Sequence, residues 1–162
     1  MKITRDMWEK IRRYYSEALK ASMHCSIATV SNHGIPNVSP IGSLMLKDDY
    51  SGFFFDIFAG TLSKNIDLNN HVCILCVNTG KLFWLKSLYL NRFGKPSGLK
   101  LIGTAGNKRE ATEEEIESFR SYIKPLKSFK GYHTLWDNLQ YVREVRFTDY
   151  YPVNTGKMTF DL

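Results

Sequence analysis

Two prolines four residues apart, Pro36 and Pro40, lie within a run that otherwise has the composition of a β-strand. Because backbone N–H groups alternate between the two sides of a strand, residues four apart point theirs to the same side. Proline has no N–H, so one side of this strand lacks two donors and cannot be paired fully. The pattern predicts an edge strand. Its free side is either an ordinary edge protected against aggregation or a place for a ligand or another chain.

The surrounding sequence predicts an antiparallel sheet. An apolar run at 25–30, a turn at 31–34 and a strand from 35 to 46 form a β-hairpin. Further strands are predicted at 52–58, which should be buried on both faces, and at 71–78, 82–90, 99–105 and 139–153. Helices are predicted at 4–21, 61–69 and 112–124, capped by Thr4, Thr61 and Thr112. The predicted fold class is mainly β with flanking helices, with about six or seven strands able to close into a barrel.

Length and composition narrow the class of protein. The chain of 162 residues has room for one well-cored domain, predicted to span 1–162. Its three cysteines are an odd number, which favours a reducing compartment over a disulfide framework. No apolar run reaches the roughly 20 residues of a membrane helix. A cytoplasmic protein with no membrane partner is therefore expected.

Positive charge is concentrated in one part of the chain. The net charge is +6, and the stretch from Leu68 to Arg109 contains no Asp or Glu. It does contain seven cations: Lys81, Lys86, Arg92, Lys95, Lys100, Lys108 and Arg109. Such a block is typical either of a solvated basic face or of a surface that binds an anionic partner, such as a phosphorylated cofactor, a nucleic acid or an acidic substrate.

The segment Gly60-Thr61-Leu62-Ser63-Lys64-Asn65 is the strongest local chemical signal. It follows an apolar strand and opens a helix, whose first N–H groups are unpaired and whose dipole is positive at that end. Gly60 permits close approach of a ligand, Thr61 and Ser63 offer hydroxyl donors, and Lys64 adds a full charge. The pattern fits a phosphate cradle, or alternatively a capped helix with a surface lysine.

Taken in order, four pieces resemble the FMN-binding split-barrel family, the pyridoxamine 5'-phosphate oxidase-like flavoproteins. They are Ser26-Ile-Ala-Thr-Val30, Gly34-Ile-Pro-Asn-Val-Ser-Pro-Ile-Gly42, Thr61-Leu-Ser-Lys-Asn65 and the strand from His71 to Asn78. The resemblance covers residues 25–78 and extends more loosely to 105. No single piece is specific, but their order and spacing are.

The resemblance implies a split antiparallel barrel and a homodimer with FMN at the interface. It places Val38, Ser39, Pro40 and Ile41 along the isoalloxazine ring. It assigns the FMN phosphate to Thr61, Ser63 and Lys64, with Asn65 nearby. The choice between FMN, FAD and a deazaflavin stays open, as does the contribution of the second subunit.

The expected function is that of a flavin-dependent oxidoreductase acting on an unidentified small substrate. The chain lacks the arginine-rich phosphate-binding strand and the C-terminal arginine motif of true pyridoxamine phosphate oxidases, so vitamin B6 oxidation is not expected. One alternative is a flavin carrier or sensor without turnover. A less favoured one is a basic barrel that binds nucleic acid through Phe83, Trp84, Tyr89 and Phe93.

Catalytic and metal-binding side chains are not apparent in the sequence. No Ser/His/Asp or paired-carboxylate arrangement stands out, and flavin chemistry needs none because the cofactor supplies the reactivity. Cys73 and Cys76 form a CxxC pattern, but residues three apart on a strand face opposite ways. The histidines have no metal-type spacing. No metal site is predicted, and a haem ligand is a minor alternative.

Overall fold

The computed structural model describes residues 1–57 and 60–159 of the chain. Its strands are β1 (Cys25–Val30), β2 (Pro36–Ile41), β3 (Met45–Leu46), β4 (Ser51–Phe55), β5 (His71–Val77), β6 (Gly98–Ala105), β7 (Arg109–Glu110) and β8 (Tyr141–Pro152). Its α-helices are α1 (Arg5–Ser22), α2 (Gly60–Leu68), α3 (Lys81–Tyr89), α4 (Glu113–Ile123) and α5 (Gly131–Trp136). Within this described part, no helix is long and apolar enough to cross a membrane.

The strands form one antiparallel sheet that curls into a half-barrel. Its strand order is β2-β1-β5-β6-β8-β4-β3, with β7 paired to β8. The hairpin of β1 and β2 pairs Cys25 with Ile41 and Val30 with Pro36. The proline-containing strand β2 is therefore at one end of the sheet. Both the mainly β split-barrel fold class and the edge position of this strand are confirmed.

Helix α1 fills the concave side of the curled sheet. Thr4 caps it, its hydroxyl accepting a hydrogen bond from the Met7 amide, as the sequence predicts. The buried side chains of α1 recur at helical spacing, from Trp8 and Ile11 to Ala18 and Leu19. They share one core with Ile27, Ile74, Leu101 and Val145 from four different strands. Burial of this apolar face holds the barrel together.

Strand β4 is buried on both faces because two cores meet across it. Phe54 faces the core that contains α1, whereas Phe53 and Phe55 face a second core. Phe119 and Ile123 of α4 supply the other wall of that second core. The Phe55 and Phe119 ring centroids are 5.2 Å apart. This arrangement confirms the prediction of burial on both faces for the part of the strand that the structure describes; Phe58 lies outside it.

Gly103 marks a bulge where β6 passes β8. The register shifts between Ile102 and Gly103, so that Gly103 lies opposite Phe147. A Cβ atom on Gly103 would lie 2.1 Å from the backbone oxygen of Arg146. Only glycine permits this close approach of two strands, and the bulge increases the curl of the sheet.

Several predicted boundaries and one predicted element are wrong. The segment predicted as a strand at 82–90 is helix α3. The strand predicted from 35 to 46 is interrupted after Ile41 and resumes as β3. Helix α2 begins at Gly60, so Thr61 lies inside its first turn rather than at its N-cap. Helix α5 was not predicted, since residues 131–136 carry no clear apolar periodicity.

Helix α4 is attached to the sheet by a charge cluster around Glu115. The Thr112 and Glu115 pair forms the predicted capping box. The Glu115 carboxylate also accepts two hydrogen bonds from Arg109, at 2.8 and 2.7 Å, and lies 3.4 Å from the Lys47 ammonium. The Arg109 hydrogen bonds hold the pKa of this carboxyl at about 2, against an ordinary value of 4.5.

Acid should release this attachment. Because the folded-state pKa of Glu115 is depressed, its contribution is complete above about pH 4.5 and is lost as the pH falls toward about 2. Within that window the group contributes a slope of at most about 1.4 kcal/mol per pH unit to the free energy of unfolding. The free energy of unfolding of Glu115→Gln, measured with urea across this pH window, should lack this slope. The exposed neighbour variant Glu114→Gln should retain it, and equal slopes in wild type and Glu115→Gln would contradict the assignment.

Candidate cofactor site

Helix α2 lies beside the β1–β2 hairpin, so the separate predicted pieces do come together. Elements α2, β1 and β2 are in direct contact. The Asn65 side-chain amide donates a 3.1 Å hydrogen bond to the hydroxyl of Thr29 on β1, and both residues are buried. Thr29 in turn lies opposite Asn37 of β2. Asn65 thus fastens the helix to the hairpin instead of offering its amide to a ligand.

The side chains of β2 alternate between the barrel interior and its outer surface. Pro36, Val38 and Pro40 are exposed, with Val38 at 65%. Ser39 is half-buried, and its hydroxyl accepts a hydrogen bond from the Asn37 amide at 3.1 Å. Ile41 is buried in the core, so it can offer a ligand only its backbone. The predicted ring-binding strand is accessible along its free edge and its outer face.

The first turn of α2 carries exposed polar groups. Thr61 in the first turn and Lys64, the fifth residue of the helix, are exposed, and no carboxylate occupies the first turn. Ser63 is different: its hydroxyl donates to the Asp56 carboxylate, at 2.5 Å from Oδ1. Two of the three predicted phosphate ligands are therefore open to solvent. The third is already hydrogen-bonded to a carboxylate.

A buried ion-pair network lies beneath this turn, centred on Arg143 of β8. The Arg143 guanidinium is within 2.7 Å of Asp56 and 2.8 Å of Asp67, and it donates to the Gly106 carbonyl at 3.2 Å. Arg143 and Asp56 are 1% and 3% exposed. The Lys108 ammonium approaches Asp56 to 4.0 Å. Since Asp67 belongs to α2 and Arg143 to β8, this network links the helix to the sheet.

The sequence reasoning missed Arg143 and Asp56. Arg143 shares a strand face with Val145 and Phe147, both buried. A charged residue that follows the same alternation along the strand as two apolar core residues is the signal that could have identified it. A buried arginine needs a partner. Asp56 comes directly after the buried strand β4, where an unpaired carboxylate would be costly. Their separation of 87 residues gives no local clue to the pairing.

An outer row of apolar side chains crosses the sheet from its free edge. Val38 lies opposite Ala28, Ala28 opposite Cys73, and Cys73 opposite Ile102. Val38 is exposed, and the other three residues are half-buried. The equivalent inner positions Ile27, Ile74 and Leu101 are fully buried against α1. The outer row is therefore an apolar sheet face that the described part of the chain leaves partly uncovered.

Comparison with known proteins identifies the fold. No protein-family model and no curated sequence matches the chain. Among solved structures, HupZ from Group A Streptococcus matches with a TM-score of 0.59 and 17% identity, over 92% of this chain and 98% of that one. An FMN-binding protein from Syntrophomonas wolfei matches with a TM-score of 0.59 and 15% identity, over 94% and 95%.

The chain has the split-barrel fold of FMN-binding and pyridoxamine 5'-phosphate oxidase-like proteins. HutZ, the haem storage protein from Vibrio cholerae, also matches, with a TM-score of 0.51 and 15% identity, over 94% of this chain and 95% of that one. Proteins with different cofactors thus share the fold, and the fold alone does not choose the ligand of this split barrel.

Two of the three cysteines of the split barrel, Cys25 and Cys76, are core residues. Burial raises the pKa of both the Cys25 and the Cys76 thiols to about 12, so both stay protonated. Cys73 is half-buried on the opposite face of β5 from Cys76, as the spacing predicts. Within residues 1–57 and 60–159, no three His, Cys, Asp or Glu side chains converge on a common point.

The aromatic side chains of the basic block pack mainly on one another. Phe83 and Trp84 have ring centroids 5.5 and 5.3 Å from that of Phe93, which is buried. Tyr89 alone of the four is largely exposed, at 90%. The split barrel therefore does not present these aromatics as a row of open stacking surfaces for bases.

Proposed function

We propose that this split barrel binds FMN and works as a flavin-dependent oxidoreductase on a small substrate. One observation carries the proposal: helix α2, on which Thr61 and Lys64 are exposed, contacts β2, the proline-containing end strand of the sheet. A helix N-terminus with an exposed lysine suits a phosphate. An exposed apolar strand with a free edge suits a flat ring with polar atoms along one rim. The two features are adjacent, as the two ends of FMN require.

Thr61 and Lys64 are the proposed phosphate ligands, together with the free N–H groups of the first turn. Ser63 can join them only by giving up its hydrogen bond to Asp56. Arg143 and Lys108 offset the negative charge of Asp56, which would otherwise repel a phosphate. Val38, Ser39 and Pro40 contact the ring in this proposal. Ile41 contributes backbone atoms, and Asn65 positions the helix.

A homodimer completes the proposed site. The outer row from Val38 to Ile102 is apolar, lies next to the free edge, and would be covered by a second copy of the chain. Exposed apolar faces of this kind mark interaction surfaces. The partner would then form the other wall of the flavin site and exclude water from it.

The dimer can be tested at Val38. Val38→Glu places a charge at the most exposed position of the proposed apolar interface and should convert a dimer into a folded monomer in light scattering at micromolar concentration. Leu135→Glu is the matched control, because Leu135 is also exposed, at 45%, but lies on α5. It should leave the molecular mass unchanged. A wild-type protein that is monomeric with flavin bound would contradict the shared site.

Turnover separates an oxidoreductase from a flavin carrier or sensor. Bound flavin would supply hydride or electron transfer, and the protein would supply position and polarity. Under anaerobic conditions, NADH or NADPH should bleach the visible absorbance of the FMN complex, and an added electron acceptor should restore it. A complex that binds FMN but is not reduced by either nucleotide would favour the carrier or sensor.

A further inference from the structure

Helix α3 presents a stripe of large apolar side chains to solvent. Leu82, Leu85 and Tyr89 are spaced for one helix face and are 84%, 64% and 90% exposed. Leu88 and Leu90 extend the same surface at 60% and 47%. Single exposed apolar residues are ordinary, but five within nine positions form a contiguous patch, and such patches mark interaction sites.

The exposure of this stripe is a consequence of how α3 is docked. The opposite face of the helix is held against the barrel by Phe83, Trp84 and Ser87. The Trp84 indole donates a 2.6 Å hydrogen bond to the Asn78 carbonyl, and Ser87 is buried. The helix therefore packs on the rest of the protein through its aromatic side, and its leucines face solvent.

Exposed cations surround the stripe, and Lys95 beside them is paired with Glu17. Lys81, Lys86 and Arg92 are exposed, and residues 68–109 contain no Asp or Glu. A cavity of about 1040 Å³ opens between α3 and the segment that follows it. Leu82, Leu90, Lys86 and Arg92 contribute to its lining. The surface thus combines an apolar stripe with a positive rim and a cation-lined recess.

We propose that α3 docks the protein on the surface of an anionic lipid bilayer. Leu82, Leu85 and Tyr89 enter the boundary between headgroups and acyl chains, as the apolar face of an interfacial helix does. Lys81, Lys86 and Arg92 contact the anionic headgroups, and the recess has room for one of them. The protein is held on the membrane by this short helix and does not span it.

A second copy of this chain fits the surface less well. A two-fold interface centred on α3 would bring the positive rims of the two copies close together. Helix α3 has nine residues, about 14 Å, which is too little to bury the roughly 800 Å² per partner of a stable interface. Positive charge around an apolar stripe is complementary to an anionic bilayer instead.

This inference does not depend on the proposed flavin site. The α3 stripe contains none of the residues proposed to hold FMN, which belong to β2 and α2. Changes on the exposed face of α3 should therefore leave FMN affinity unchanged. Failure of either proposal would leave the other intact.

Cosedimentation with vesicles tests the docking. Full-length protein should bind vesicles of phosphatidylcholine with phosphatidylglycerol, bind pure phosphatidylcholine vesicles far less, and be released by salt. Replacing Leu82, Leu85 and Tyr89 together by Ser should lower the partition coefficient at least about tenfold. Replacing Lys81, Lys86 and Arg92 together by Gln should lower it roughly 100-fold. Circular dichroism and thermal unfolding should show both variants folded, since all six side chains are exposed.

The matched control removes the same charge from another surface. Lys124, Lys127 and Lys130 are also exposed, and replacing all three by Gln should change vesicle binding by no more than about twofold. An equal loss in this control would overturn the proposal, because net charge alone would then explain binding. So would self-association abolished by the Ser variant in the absence of lipid. Tighter binding to single-stranded nucleic acid than to anionic vesicles would likewise overturn it.

Discussion

Arg143→Leu should lower the free energy of unfolding by about 3–5 kcal/mol, the largest effect expected from a single side chain at the candidate site. The variant leaves Asp56, which is 3% exposed, without the guanidinium 2.7 Å away that balances its charge. Lys108, at 4.0 Å, is too distant to replace that hydrogen bond. The change also removes the contact to Asp67 and so loosens α2. Urea unfolding measures the loss.

Two further variants isolate the cause. Arg146→Leu removes another arginine from β8. Arg146 is 68% exposed, and its contact to Glu144, at 3.8 Å, is a weak surface ion pair. The expected loss in the free energy of unfolding is therefore below about 1 kcal/mol. The double variant Asp56→Asn with Arg143→Leu should recover part of the lost stability, because no buried charge then lacks a partner. If Arg143→Leu alone costs less than about 1 kcal/mol, the network does not anchor α2.

Lys64→Ala should weaken FMN binding about 10- to 100-fold and barely change riboflavin binding. If Lys64 meets the phosphate, the change removes a charge-assisted contact worth roughly 1.5–3 kcal/mol. Riboflavin has no phosphate, so its affinity should not depend on this contact. Stability should be unchanged or slightly higher, because a lysine near the N-terminal end of a helix opposes the helix dipole. Titration of wild-type and variant apoprotein with FMN and with riboflavin gives the change in affinity for each ligand.

Lys127→Ala is the control for the loss of one positive charge. Lys127 is also exposed but lies beyond α4, so FMN affinity should be nearly that of the wild type. Equal losses for FMN and riboflavin in Lys64→Ala, or no loss for either, would remove Thr61 and Lys64 from the phosphate site.

Much of the fold could be predicted because its signals are local. The prolines of β2, the turn after β1, the Thr4 cap and the Thr112 capping box each act within a few residues. Such signals can be recognised in a single sequence because the residues that produce them are neighbours in the chain. The edge position of β2 follows from the missing N–H groups alone.

Helix α3 was predicted wrongly because its apolar residues surround the helix. Phe83 and Trp84 pack on the barrel while Leu82 and Leu85 face solvent, so the run shows no helical periodicity. A short, continuous apolar run cannot be assigned to strand or helix by pattern alone.

The interior of the candidate site could not be predicted for a different reason. Asp56 and Arg143 come together only when β4 and β8 pair, which brings distant parts of the chain into register. The Ser63 hydroxyl donates to the same Asp56, so that a residue chosen as a phosphate ligand has a protein partner. Ion pairs between distant residues depend on the completed fold, not on local sequence.

Titration of the purified apoprotein with FMN, followed by quenching of flavin fluorescence, tests the central claim most directly. The account predicts saturable binding of one FMN per chain, with riboflavin binding more weakly because it lacks the phosphate. Haemin provides the comparison, since HutZ has the same fold. Tight binding of haemin with no saturable binding of FMN would contradict the account and would favour a haem protein.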